Sequence, residues 1–209
     1  MRLYLIRHGE TDLNKQKILQ GQSDFELNDY GRELAVLTGK GLGKVSFDLV
    51  FTSPLKRAKE TAVLVIREQQ EKAIDILEDL RIQEISFGAY EGMCYGKDNF
   101  NIPDKTFLNF FEAPEKYNTP PQGESFEEVI GRTGDFLREL ADNSEYADKT
   151  ILISTHGCAL KAMLANIRKT PLEQFWGDGV HKNCAVTIVD VDTTSGGKMT
   201  VVEEGKLYY

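Results

Sequence analysis

Arg7 and His8 stand side by side in Arg7-His8-Gly9-Glu10-Thr11, directly after the apolar run that ends in Leu5-Ile6. A guanidinium offers a planar fork of donors to an anion, and an imidazole offers a nucleophilic nitrogen. The same chemistry recurs twice. A second apolar run, Phe47-Asp48-Leu49-Val50-Phe51, breaks at Thr52-Ser53-Pro54 and is followed by Arg57. A later one, Thr150-Ile151-Leu152-Ile153-Ser154, leads through Thr155 into His156-Gly157. Two Arg and two His brought to one place would hold a phosphoryl group. No one of these segments is specific alone.

The elements that must position them follow from apolar patterning. Residues 2–7 read as a buried strand. Asn28-Asp29 opens a helix expected to run to about Leu37, with Gly39, Gly41 and Gly43 as its stop. Residues 47–51 form a second strand. Ser53 is expected to cap the next helix, with Pro54 in its first turn and Leu55, Ala58, Ala62, Val65 and Ile66 at helical spacing. Ile74-Asp75-Ile76-Leu77 reads as a third strand. Ser125 with Glu128 three residues on gives a capping-box pattern. Thr150–Ser154 is a fourth strand, and the helix after His156-Gly157 carries Leu160, Met163, Leu164 and Ile167 on one face. Ala185–Val189 and Thr200–Val202 are late strands joined through Ser195-Gly196-Gly197. Strands alternating with helices predict an α/β, three-layer fold with a mostly parallel central sheet flanked by helices. In such a sheet the strand ends share one edge, where open α/β sheets bind ligands.

Residues 93–121 break the pattern. They hold four of the eleven Phe, Tyr95, Tyr117 and four Pro, with a short helix expected near 104–112. They read as an aromatic-rich insertion over the sheet edge, within a single domain spanning 1–209.

At 209 residues, 41% hydrophobic and 28% charged, the composition is that of an ordinary globular chain. The net charge of −8 argues against a nucleic-acid partner and means that cations for phosphate must be gathered locally. No apolar run approaches the roughly 18 residues of a membrane span, so no membrane partner is expected. Three separated cysteines without a Cys-x-x-Cys pair point to reduced thiols and a cytoplasmic location.

The ordered set of motifs resembles the histidine phosphatase superfamily, in its phosphoglycerate mutase-like branch. The matching segments are Leu5-Ile6-Arg7-His8-Gly9-Glu10-Thr11 with Asn14, Gln20-Gly21, and Ser53-Pro54-Leu55-Lys56-Arg57-Ala58. They continue with Glu84, Phe87-Gly88, Glu91-Gly92, Gly123-Glu124-Ser125 and Ser154-Thr155-His156-Gly157. The resemblance implies a phosphoglycerate mutase-like fold, His8 as nucleophile and a phosphohistidine intermediate. It implies that Arg7, Arg57 and His156 grip the phosphoryl oxygens. Glu84 would be the proton donor and acceptor. Asn14, Gln20, Gly21 and Gly157 would be secondary phosphate contacts. No cofactor and no metal are implied.

Other readings stay open. A zinc site from His8, His156 and Glu84 fits by residue type, but the neighbouring Arg favour an anion. His181 reads as exposed, Asn183 as a brace for His156, and Cys158 as a buried residue at a helix start. Residues 93–121 contain no Arg and one more acid than base, a poor surface for a second acidic group. That favours hydrolysis of a small-molecule phosphate ester over phosphoglycerate mutase-type transfer. An inactive phosphate- or phosphoprotein-binding module is the alternative of another class. The C-terminal Leu207-Tyr208-Tyr209 offers a surface for a second copy, so a homodimer stays open.

Overall fold

In the computed structural model, which describes residues 1–43, 45–68 and 74–209, the apolar runs form one six-stranded sheet. Its strands are β1 (Arg2–Arg7), β2 (Leu49–Thr52), β3 (Ile76–Glu78), β4 (Thr150–Thr155), β5 (Val186–Asp192) and β6 (Lys198–Lys206). The order is β3-β2-β4-β1-β5-β6. The first four strands are parallel; at one side β5 runs antiparallel to β1, and β6 antiparallel to β5. The described α-helices are α1 (Asp12–Gln16), α2 (Asp29–Leu42), α3 (Lys56–Arg67), α4 (Asn109–Glu112), α5 (Phe126–Asp142) and α6 (Gly157–Arg168).

Side chains alternate across the sheet, and each face has its own helices. Leu3 and Leu5 of β1 and Ile151 and Ile153 of β4 pack on Phe136, Leu137, Leu160 and Met163 of α5 and α6. Tyr4, Ile6 and Leu152 point the other way, onto Leu34, Ala35, Ala62 and Val65 of α2 and α3. The chain therefore leaves β1 toward one face and β4 toward the other. A crevice opens between the carboxyl ends of these two neighbours, where α/β sheets take their ligands.

Several local expectations are corrected. Helix α2 does not stop near Leu37 but runs through Gly39 and Gly41 to Leu42. Those two glycines serve close packing: a Cβ on Gly39 would stand 2.6 Å from the Val65 carbonyl oxygen, and one on Gly41 would collide with that of Tyr208. Only Gly43, at φ 61°, closes the helix. Helix α3 begins at Lys56 after Leu55, which has no capping side chain, so Ser53 is not its cap. The α-helix within residues 93–121 is a single turn at Asn109–Glu112, shorter than 104–112, with 3₁₀ turns at Lys97–Asn99 and Pro114–Lys116. At the C-terminus Tyr208 packs against the α2/α3 core and the Tyr209 hydroxyl donates to the Asn183 carbonyl at 3.0 Å, while the Tyr209 ring stays exposed.

The Ser125–Glu128 capping box is present. Ser125 N–H donates to Glu128 Oε2 at 2.7 Å, and Glu128 N–H donates to Ser125 Oγ at 3.2 Å. Ser125→Ala is expected to lower stability by about 1 kcal/mol in urea denaturation, with the cleft unchanged.

Candidate active site

Strand register brings His8 and His156 together. Arg7 pairs with Thr155 across β1 and β4, so the residues that follow leave the sheet side by side. His8 N–H donates to the Thr155 carbonyl at 2.9 Å, and the two imidazole rings lie 5.1 Å apart. The parallel β2–β4 pairing puts Ser53 at the same level, with its N–H on the Ser154 carbonyl at 3.0 Å.

Each ring has a fixed orientation. His8 Nδ1 lies 2.6 Å from the Gly9 carbonyl oxygen, an acceptor, so Nδ1 carries the proton and Nε2 the lone pair. Gly9 is itself tied down: its N–H donates to Thr61 Oγ1 at 2.9 Å, and that hydroxyl donates to the Arg57 carbonyl at 2.7 Å. Gly9 has no room for a side chain, since a Cβ would stand 2.5 Å from the Gly31 carbonyl oxygen. His156 Nε2 lies 2.8 Å from Ser53 Oγ, the hydroxyl that also accepts from Leu55 N–H at 3.3 Å. A hydroxyl that accepts from the amide and donates to the ring leaves the proton of a neutral His156 on Nδ1.

The guanidinium groups are held from behind. Arg57 donates to the carbonyls of Ser23 at 2.8 Å and Gly21 at 2.7 Å. Arg7 Nη1 donates to the His181 carbonyl. The Nε atoms of Arg7 and Arg57, with His156 Nδ1, are buried and have no hydrogen-bond partner among the described residues. Leaving such donors unmade costs about 1–3 kcal/mol each, more for charged groups. An arriving anion would satisfy them.

Burial sets the electrostatics. It lowers the pKa of Arg57 to about 10 and also lowers that of Arg7, against the pull of Glu84 on both. Both remain cations near neutrality. His8 is held well below the ordinary imidazole value of 6.5, first by burial and then by the fields of Arg57 and Arg7. His156 shifts the same way, through burial, Arg57 and His8. The nucleophilic form of an imidazole is thus the resting form at this site.

These shifts have a stability consequence. Below pH 6.5 the unfolded chain binds protons at histidines that the folded chain keeps neutral. Folding free energy should therefore be fully present above pH 6.5 and fall as the solution is acidified, by about 1.4 kcal/mol per pH unit for each such histidine. Urea midpoints measured at a series of mildly acidic pH values check this.

Glu84 comes from the segment between β3 and α5. Its carboxyl group caps α6: Oε1 accepts from Cys158 N–H and Ala159 N–H, both at 3.1 Å, and from Ile85 N–H at 3.0 Å. Arg132 of α5 fixes the backbone there, donating to the carbonyls of Gln83 at 2.7 Å and Glu84 at 2.9 Å while its Nε meets Glu124 at 2.9 Å. Neither Arg132 nor its pairing with Glu124 is legible in the sequence, because nothing local joins α5 to residue 84. Gly157 lies between Glu84 and Arg7; a Cβ there would stand 3.6 Å from Arg7 Nε and from Glu84 Oε2.

One cleft collects Arg7, His8, Asn14, Gln20, Gly21, Arg57, Glu84 and Gly157 on its walls. It encloses about 670 Å³ including its open mouth. His156 is not on the wall; it lies beneath, fully buried against His8. Asn14 uses its amide oxygen to accept from Thr11 N–H at 3.1 Å, leaving its NH₂ end as the donor. Gln20 is buried, and its amide oxygen has no hydrogen-bond partner among the described residues. The outer walls are apolar and aromatic: Phe87, Tyr95, Phe110, Phe111, Trp176 and Val180. Phe110 and Phe111 come from the expected insertion, whereas Trp176 gave no signal in sequence.

Four further readings meet the structure here. His181 is not exposed: its side chain is 9% accessible and Nε2 lies 3.0 Å from Glu204 Oε1 on β6. Gly205, at φ 62°, lies beneath that ring, where a Cβ would stand 3.4 Å from His181 Cδ2. Asn183 does not brace His156; it donates to the His8 carbonyl at 3.0 Å. Cys158 is a buried residue in the first turn of α6, and burial raises its thiol well above the ordinary value, which leaves it unreactive. His8, His156 and Glu84 do not form a metal-binding group, and no cluster of that kind occurs among the described residues.

Comparison with known proteins agrees with this geometry. Residues 3–203 match the histidine phosphatase superfamily (branch 1). The chain is 30% identical over 166 residues to the metal-independent phosphoserine phosphatase of Arabidopsis thaliana, covering 79% of this chain and 68% of that protein. It is 32% identical over 184 residues to the adenosylcobalamin/alpha-ribazole phosphatase of Escherichia coli (strain K12), covering 88% and 87%. The solved structure of Bacillus stearothermophilus YhfR superposes with a TM-score of 0.87 at 36% identity, over 98% of this chain and 96% of that one. A paired-histidine cup at the sheet edge and a family match that runs from β1 into β6 lead to one assignment: the chain belongs to the histidine phosphatase superfamily, branch 1.

Proposed function

We propose that this protein is a metal-independent phosphomonoesterase that hydrolyses a small phosphorylated metabolite through a phosphohistidine on His8. One observation carries the reading: the Nε donors of Arg7 and Arg57 are buried with no partner among the described residues, beside a histidine whose Nδ1 donates to the Gly9 carbonyl and leaves Nε2 unprotonated. In the first half-reaction His8 Nε2 bonds to phosphorus as the ester P–O bond breaks, and Glu84 delivers a proton to the leaving oxygen. In the second, Glu84 takes a proton from water, the water oxygen bonds to phosphorus, and the P–N bond breaks to release phosphate. Arg7 and Arg57 neutralise the oxygens throughout, which is the main demand of phosphoryl transfer. His156 Nδ1 acts from below. Asn14, the Gln20-Gly21 turn and Gly157 line the remaining approach.

Hydrolysis is favoured over transfer between two acidic sites by the cleft lining. Its charged residues are Arg7, Arg57 and Glu84, and the rest of its walls offer aromatic surface rather than a second set of cations. The names of the relatives support phosphate esters as the substrate class and activity without a metal. The free cysteines Cys94, Cys158 and Cys184 support a reducing, cytoplasmic setting. No described helix is long and apolar enough to cross a membrane.

The test is a panel of phosphate monoesters assayed for phosphate release with and without EDTA. Release that is unaffected by the chelator is expected, with kcat/KM highest for esters whose body is apolar or ring-bearing. Isomerisation of 3-phosphoglycerate that depends on 2,3-bisphosphoglycerate, with little phosphate set free, would overturn the hydrolytic reading. A chain that binds phosphate but releases none from any ester would be the binding module.

A further inference from the structure

Glu91 sits outside the chemistry just described, yet its carboxylate is among the most heavily engaged groups near the cleft. Oε1 accepts from Gln22 N–H at 2.9 Å and Phe87 N–H at 3.1 Å. Oε2 accepts from Ser23 N–H at 2.8 Å and from the Ser23 hydroxyl. Two of these donors, Gln22 and Ser23, belong to the turn whose Gly21 and Ser23 carbonyls hold Arg57. The turn is closed by Ser23 N–H on the Gln20 carbonyl at 2.9 Å. Gly21, at φ 51°, is pressed so closely on Glu91 that a Cβ would collide with Oε1.

The chain of contacts is continuous: carboxylate, two backbone amides, two carbonyls, guanidinium. Remove the carboxylate and the turn has lost the anchor that aims both carbonyls at Arg57. The guanidinium then loses the two bonds that fix its plane, and with them the direction of its Nε toward the phosphoryl group. A guanidinium recognises phosphate through a fixed fork, so rotation of that plane matters as much as its charge. We propose that Glu91 is a positioning residue for phosphoryl binding, acting through the 20–23 turn to set the orientation of Arg57. It never touches substrate. The proposal rests on the phosphatase reading for its kinetic form, but its binding form needs only the cationic cup.

Glu91→Gln keeps size and puts one NH₂ among amide donors. It is expected to lower kcat/KM for p-nitrophenyl phosphate by about 10- to 100-fold, the scale for a misaligned catalytic group. The inhibition constant for inorganic phosphate should rise in step. The decisive measurement is a double-mutant cycle: in an Arg57→Ala background, Glu91→Gln should cost no more than about twofold, because its path to the phosphate is already gone. Effects that multiply, or a fall in kcat/KM with phosphate inhibition unchanged, would overturn the proposal. Should Glu91→Gln not fold, Ser23→Ala decides. It removes one of the four donors and is expected to weaken phosphate inhibition severalfold in the wild-type background and not in Arg57→Ala; no change in the wild-type background overturns the proposal. A wild-type protein inactive on every ester would refute the functional reading. The brace would then be read from inorganic phosphate binding by calorimetry in the same cycle. A loss of affinity that disappears in Arg57→Ala supports it, and losses that multiply overturn it.

Discussion

His8→Ala should abolish phosphate release, lowering kcat for p-nitrophenyl phosphate by about 10⁴-fold or more, the scale seen when a catalytic nucleophile is removed. The loss should be in kcat rather than in phosphate affinity. The donors proposed to hold phosphate, Arg7 and Arg57, take their support from other groups: the His181 carbonyl behind one, the 20–23 turn behind the other. His8 contributes Nε2 and little to the seat itself. The variant should therefore still be stabilised by phosphate in thermal melts. Rapid quench of the wild-type protein with ³²P-labelled ester should leave an acid-labile label on His8 and none in the variant. A variant that retains the wild-type rate, or a label that maps to another side chain, removes the covalent route.

Glu84→Gln should cost about 10²–10⁴ in kcat, the range for a positioned acid–base group. The leaving group decides how much is seen. An alkyl ester expels a strongly basic oxygen and needs the proton; p-nitrophenolate leaves without one. The variant should thus be crippled on alkyl phosphates and far less affected in the first step on p-nitrophenyl phosphate. The second step needs Glu84 to take a proton from water, so p-nitrophenol should appear in a burst as phosphoenzyme accumulates. Gln fits the site, because its carbonyl oxygen can accept from the Cys158, Ala159 and Ile85 amides as Glu84 Oε1 does. Equal losses on both esters with no burst would mean that Glu84 serves only to cap α6.

The residues at strand ends were legible because register does the work. Once β1 and β4 pair in parallel, Arg7-His8 and Thr155-His156 must emerge together, and uninterrupted apolar runs, buried on both faces, announce both strands. The helix carrying Arg57 was legible in outline, but the role of Ser53 was not. As a residue before a helix it reads as a cap, and only the third dimension shows its hydroxyl spoken for by His156. The supports behind the cup were invisible for the same reason. Glu91 reaches residues 22 and 23, Arg132 reaches Gln83 and Glu84, and Glu204 reaches His181, each across a large sequence separation with no local pattern to betray the pair. The glycines of α2 misled in the opposite sense. Gly39 and Gly41 look like helix breakers and are instead points of contact with Val65 and Tyr208.

Phe110 faces the cleft and is also the hub of the aromatic packing, in contact with Phe87, Phe107, Phe126 and Trp176. Its accessibility is 2%, whereas Tyr95 and Phe111 stand half-buried at the rim. Selection for a new ester body therefore meets unequal resistance along one wall. Changes at Tyr95 and Phe111 can explore shape freely, while any change at Phe110 is filtered first by whether the chain still folds. Lineages that diverge in what they dephosphorylate should drift at the rim and keep the hub.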